Sequence, residues 1–312
     1  MDKIAVVGCG VVGSSWALVF ARAGLHVTLY DPSRESVDAA LEQVRTSAAM
    51  LEPLGLLHGR TAEQISALLT PAASLAEALR DAGYVQESAP ERLEIKRELY
   101  RSMGSMAGEN VVLASSTSGL PASAFSRDIE GRERVIVAHP VNPPHLIPLV
   151  EIVPAPWTSP DVFERTQALM KQVGQVPVTL SREIDGFIVN RLQSAVLSEA
   201  FRLVEDGICS ASGVDAVIAD GLGLRWFFLG PFETIDLNAQ GGIADYCAKL
   251  GSMYYELAKS QADPRPWGKE LVANVERQLR ETTPAGRLES RRKWRDRCLA
   301  ALVKARQDVL QQ

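Results

Sequence analysis

The 312-residue chain has little cysteine: its four thiols, Cys9, Cys209, Cys247 and Cys298, are scattered, with no Cys-x-x-Cys pair and no metal-ligand spacing. That excludes a disulfide framework and a structural zinc site, and it implies the reduced, mostly buried thiols of a cytosolic protein. A basic excess is also missing. With 33 Lys and Arg against 38 Asp and Glu the formal charge is −5, whereas a nucleic-acid surface needs a basic face. The most basic stretch, residues 287–297 (RLESRRKWRDR), is interrupted by Glu289 and Asp296 at helical spacing and reads as a solvated or subunit-facing helix. No apolar run approaches the roughly 20 residues of a membrane span. A strand pattern begins at Lys3, so no leader is expected, and no repeat or low-complexity tract interrupts the chain. A cytoplasmic, soluble protein without nucleic-acid, membrane or metal partners is the expectation.

What is present fits two domains with proper cores: 46% of residues are hydrophobic and 23% charged. Short β-branched apolar runs at 3–8, 26–30, 84–87, 111–115, 135–139, 149–153 and 176–180 predict strands. Helical spacing fills the gaps at 12–23, 33–54, 93–103 and 161–173. Such alternation predicts a Rossmann-type α/β fold, a mainly parallel sheet covered on both faces. After Arg182 the texture changes. Residues 186–206 form one unbroken helical pattern, and no convincing strand follows to residue 312. A boundary within 181–185 therefore divides a dinucleotide-binding domain (1–183) from an all-helical domain (184–312).

Gly8-Cys9-Gly10-Val11-Val12-Gly13 fits G-x-G-x-x-G, a weak signal alone. Here it follows a strand, opens a helix and is succeeded by Asp31 at the next strand's end, which is the context a dinucleotide site requires. Gly8 allows the tight turn, Gly10 lets the backbone of Gly10, Val11 and Val12 approach the pyrophosphate, and Gly13 permits close helix–strand packing. Asp31 would bond ribose hydroxyls and repel a 2′-phosphate, favouring NAD over NADP, although Arg34 stands close by.

His139 and Glu151, twelve positions apart, read as a general base with its orienting carboxylate. A satisfied histidine at a strand end explains the pair equally well. Ser118, in the hydroxyl-rich 115–119 run, stands at the carboxyl edge of a strand and could reach a reacting oxygen, or the run could simply cap a helix. Asn190 is a polar amide on an apolar helical face, suited to structure or to substrate. Arg225 is a lone cation in a glycine-rich aromatic stretch, where a guanidinium can grip a carboxylate with two hydrogen bonds or close a salt bridge.

With these segments in view, the chain resembles the 3-hydroxyacyl-CoA dehydrogenase superfamily, and within it the lambda-crystallin / L-gulonate 3-dehydrogenase branch. The resemblance runs essentially end to end. It rests on GCGVVGSSWALVFA (8–21), SSTSG (115–119), AHPVNPPHLIPLVEIVP (138–154), GFIVNRLQSAVLSEAFRLVEDGI (186–208), GLGLRWFFLGPFET (221–234) and RRKWRDRCL (291–299). It implies His139 as base, Glu151 as its carboxylate, Ser118 and Asn190 at the substrate oxygen, and cofactor contacts from Asp31, Glu91, Lys96 and Ser118. It also implies a homodimer formed largely through the helical domain. Pro140-Val141 stand where acyl-CoA enzymes have aromatic residues, and those enzymes lack the Gly-Leu-Arg-aromatic block, so Arg225 looks like a device for a small free carboxylate. The resemblance thus implies NAD-dependent oxidation of a 3-hydroxy acid, with L-gulonate to 3-dehydro-L-gulonate as the leading pair. Short-chain 3-hydroxyacyl-CoA, carnitine and other hydroxy acids are the enzymatic alternatives, and a crystallin-like structural protein the non-enzymatic one.

Overall fold

A computed structural model describes residues 3–310. By internal contacts the chain forms two compact units. One comprises residues 3–191 together with 296–310, and the other residues 192–295.

The first unit is built on an eight-stranded sheet in the order β3-β2-β1-β4-β5-β6-β7-β8. Its strands are β1 (Lys3–Val7), β2 (His26–Tyr30), β3 (Leu69–Pro71), β4 (Tyr84–Glu87), β5 (Val112–Ser115), β6 (Val135–Pro140), β7 (Leu149–Pro154) and β8 (Val176–Thr179). Every neighbouring pair is parallel except β6 with β7. The expected Rossmann-type sheet is therefore what forms. The one strand absent from the sequence reading is β3. It has three residues, ends in proline and lies at the sheet edge, where a missing N–H costs no ladder bond.

Alternation along β1 shows how the sheet is covered. Ile4 and Val6 belong to one buried core, Ala5 and Val7 to another, because successive strand residues face opposite sides. The first core takes in helix α1 (Val11–Arg22), whose Trp16 and Phe20 are fully buried and stacked at 5.4 Å. It is joined by Ala300, with Leu299 and Val303 against it, which is how residues 296–310 come to belong to this unit.

Residues 192–295 are helices joined by loops, with no strand. Their small buried core is Val204, Ala211 and Leu271. Many large apolar side chains there are open to solvent, among them Leu224, Phe232 and Leu237.

Candidate active site

The antiparallel register of β6 and β7 explains the twelve-residue spacing of His139 and Glu151. The two strands form a hairpin-like pair in which His139 lies directly opposite Glu151. Residues opposite one another in such a pair have Cβ atoms roughly 4.5–5.5 Å apart, within easy reach of side-chain bonding. The His139 Nδ1 to Glu151 Oε2 distance is 2.8 Å, and both side chains are buried. Glu151 also accepts the backbone N–H groups of Ile188 (2.7 Å) and Val189 (3.0 Å) at Oε1. Burial by itself would raise the Glu151 carboxyl. The hydrogen bonds from His139, Val189 and Ile188 outweigh it and hold the group below its ordinary range. An ionised Glu151 only accepts, so the imidazole must place its proton on Nδ1, leaving the Nε2 lone pair free to take a proton.

The expected helix from 186 starts only at Val189. Gly186 (φ 74°) and Phe187 (φ 50°) adopt left-handed backbone, and for an aromatic residue that conformation is strained. The turn aims two N–H groups at Glu151, so the carboxylate caps the start of helix Val189–Glu205. Phe187 is buried with its ring 5.5 Å from that of His139. The periodicity of 186–206 concealed this turn, and only the glycine before an aromatic residue hinted at it.

The loop after β5 is the second wall. Asn190 donates through Nδ2 to the Ser118 carbonyl at 2.6 Å, so these two expected residues do come together. The Ser118 side chain is exposed, and its hydroxyl makes no hydrogen bond among the described residues. Glu91 Oε1 accepts from Thr117 Oγ1 (2.5 Å), Ser118 N (2.9 Å) and Gly119 N (3.0 Å). Lys96 is buried, with its ammonium 2.9 and 3.0 Å from the two Glu87 oxygens and 3.5 Å from Glu91. Sequence reasoning missed Glu87 and its neighbour Gln86, which donates to Ser116 Oγ (2.7 Å) and to the Ala138 carbonyl (3.3 Å). Two polar residues in a strand expected to be buried on both faces were the available signal.

The residues around Gly8 fit a dinucleotide. Gly8 has φ 95°, and a Cβ there would lie 2.6 Å from the Ser88 backbone. At Gly13 a Cβ would strike the Gly8 carbonyl at 1.9 Å, while Gly10 meets open space. No side chain caps α1, so its first N–H groups, from Val11 onward, remain available to phosphate oxygens. Asp31 directly follows β2 and accepts from Cys9 N (3.0 Å) and Ser33 N (2.9 Å), fixing its carboxylate beside the glycine turn. Arg34 is paired with the exposed Asp38 at 2.9 Å.

His145, in the loop between β6 and β7, ties that loop to α1. Its Nδ1 is 2.6 Å from Ser15 Oγ, and Arg22 donates to its carbonyl at 2.7 Å. Burial, aided by the Arg22 charge, pushes the imidazole down to about 4. Because the folded value lies below the ordinary 6.5, the unfolded chain is protonated first as pH falls. The stability at stake is complete above the ordinary value and is lost on the way down to the folded one, to a limit of about 3 kcal/mol. Glu151, with its lowered carboxyl, loses its contribution further down, below the ordinary carboxyl value. Urea unfolding should therefore show stability falling between about pH 7 and pH 5. His145→Gln should flatten that fall, and an equal slope in both proteins would remove His145 from the account.

Residues 3–184 match the 3-hydroxyacyl-CoA dehydrogenase, NAD binding domain, and residues 186–286 match the 3-hydroxyacyl-CoA dehydrogenase, C-terminal domain. The chain is 42% identical over 309 residues to lambda-crystallin of Oryctolagus cuniculus, covering 98% of this chain and 97% of that one. It is 35% identical over 285 residues to L-carnitine dehydrogenase of Streptomyces griseus, covering 91% and 81%. Among solved structures, an NAD+-dependent dismutase, 5-formyl-3-hydroxy-2-methylpyridine 4-carboxylic acid 5-dehydrogenase, shares the fold. Its TM-score is 0.84 at 24% identity, with 98% and 99% of the two chains covered.

Proposed function

The chain belongs to the 3-hydroxyacyl-CoA dehydrogenase family and is an NAD-dependent dehydrogenase of it, and we propose that its substrate is a small free 3-hydroxy acid, L-gulonate, oxidised to 3-dehydro-L-gulonate. The observation that carries the free-acid reading is Arg225. It is exposed in the turn Gly223–Trp226, directly after a π-helical run, Val217–Leu222, and its guanidinium makes no hydrogen bond or ion pair among the described residues. π-Helical turns are rare and concentrate at functional sites. An unpaired guanidinium in such a turn is suited to a carboxylate, which a CoA thioester does not present at that position.

The chemistry assigned to the residues follows from their bonds. His139 Nε2 takes the hydroxyl proton, and Glu151, accepting from Nδ1, holds the ring and stabilises the imidazolium that forms. Bound NAD supplies the hydride acceptor. Ser118 Oγ donates to the substrate oxygen as it becomes a carbonyl, and Asn190 keeps the Ser118 loop in place while presenting its amide to the same oxygen. Gly8, Gly10, Val11, Val12 and Gly13 receive the pyrophosphate, and Asp31 the adenosine ribose. Glu91, whose Oε2 lies 3.5 Å from the Lys96 ammonium, faces the cofactor, and Lys96 acts through Glu91. Residues 184–312 would hold the acid and join two copies into a cytoplasmic homodimer, a reading supported by the exposed Leu224, Phe232 and Leu237.

A panel of L-gulonate, carnitine and 3-hydroxybutyryl-CoA, each with NAD, tests the assignment. We expect the highest kcat/KM for L-gulonate. Preference for the thioester would return the chain to the acyl-CoA reading, and tight NADH binding without any turnover would favour a structural protein. Asp31 makes a second expectation: NAD should be used far better than NADP, and Asp31→Ser should narrow the gap by admitting the 2′-phosphate. Equal use of both cofactors by the parent would show that Arg34 breaks from Asp38 to bind the phosphate.

A further inference from the structure

Glu87 is a buried carboxylate at the end of β4, 0% exposed, and no step of the proposed reaction uses it. Its bonds lead to one place. Oε1 and Oε2 both accept from the Lys96 ammonium, at 2.9 and 3.0 Å, Oε2 accepts from Ser115 Oγ at 2.6 Å, and Oε1 accepts from Ala89 N at 2.6 Å. Ser115 Oγ in turn accepts from Thr117 N at 3.2 Å. Lys96 stands 3.5 Å from Glu91, whose other oxygen gathers Thr117 Oγ1, Ser118 N and Gly119 N. Two arms, one through Ser115 and one through Lys96 and Glu91, thus start at Glu87 and meet at residues 117–119. Tyr100, also fully buried, lies beside this carboxylate, and burial followed by the Glu87 charge keeps its phenol neutral.

A buried ion pair is a poor device for stability alone, since desolvation of both charges offsets their attraction and an apolar pair of similar volume often does as well. What it supplies is fixed geometry. We infer that Glu87 is a positioning residue of the active site: with Lys96 and Ser115 it locks the 117–119 turn, and so Ser118, at the carboxyl edge of the sheet. The inference rests on the proposed role of Ser118 at the substrate oxygen. With Glu87 replaced by an uncharged residue, the carboxylate left beside the ammonium is Glu91, and it is the one that gathers the Thr117 hydroxyl and the Ser118 and Gly119 amides.

The test compares Glu87→Gln, Lys96→Met and the double variant in the NADH-bound protein, reading Tm, kcat and KM separately, and amide exchange of residues 116–119. Each single variant leaves one buried charge without its partner and should lower Tm, while the double variant removes both charges and should regain most of it. A purely structural pair would then recover kcat with Tm. A positioning role predicts that the double variant stays down in kcat by about tenfold or more, with KM little changed, and that its 117–119 amides exchange at least about tenfold faster than in the parent. Recovery of kcat and of amide protection together with Tm would overturn the inference, as would single variants with parental exchange. The exchange arm needs no substrate. If the parent oxidises none of the acids offered, slow exchange in the parent and fast exchange in the double variant would still support the lock, while the assignment of the reaction would fall separately.

Discussion

His139→Asn should lower kcat by ~10²–10⁴-fold, the range general-base catalysis usually supplies, and leave NADH binding within a few-fold of the parent. The expectation follows from how the imidazole is held. Glu151 accepts from Nδ1 and from two backbone N–H groups, so the ring has one tautomer and one free lone pair, on Nε2. Asparagine at this position keeps a polar group near Glu151 but has no atom that can accept a proton near neutral pH. The cofactor cradle around Gly8, Gly13 and Asp31 is built from the turn after β1, from α1 and from the residue after β2, and is untouched by the change. Steady-state kinetics with NADH-fluorescence titration would check it. Turnover within a few-fold of the parent would mean that the hydroxyl proton leaves by another route.

Arg225→Met should raise KM for L-gulonate by roughly 10–100-fold, because a charge-assisted hydrogen bond is worth ~1.5–3 kcal/mol. The side chain is exposed and makes no hydrogen bond or ion pair among the described residues, so Tm and NADH binding should stay near the parental values. Activity on 3-hydroxybutyryl-CoA should fall less than activity on gulonate. A variant with a collapsed Tm would assign Arg225 to structure, and equal losses on both substrates would remove the carboxylate anchor.

The strand run KIAVVG and the glycines behind it were legible because their reasons are local. A parallel strand buried on both faces needs a continuous apolar run, and a helix that abuts a phosphate needs glycine at Gly8 and Gly13. The pairing of His139 with Glu151 was legible as a motif, but its cause, the cross-strand register of an antiparallel pair within a mostly parallel sheet, was not. Phe187 was hidden for a related reason: its apolar character fits a helix, and only the backbone shows the left-handed turn that hands two N–H groups to Glu151. Glu87 was invisible as a hub because its partners lie 9 and 28 positions away, Lys96 on the helix Leu93–Met106 that follows β4 and Ser115 across the β4–β5 register. Leu69–Pro71, a three-residue edge strand ending in proline, carries too short a pattern for periodicity to find.

The central claim is that hydride leaves the carbon whose hydroxyl His139 deprotonates. L-gulonate bearing deuterium at carbon 3, incubated with NAD and the protein, tests it most directly, with the reduced cofactor isolated and weighed by mass spectrometry. The account predicts deuterium on the nicotinamide of the product and a slowed reaction with the labelled acid, and in His139→Asn the same transfer at a rate ~10²–10⁴-fold lower. Reduced cofactor formed without the label, or label retained in the acid after turnover, would contradict it.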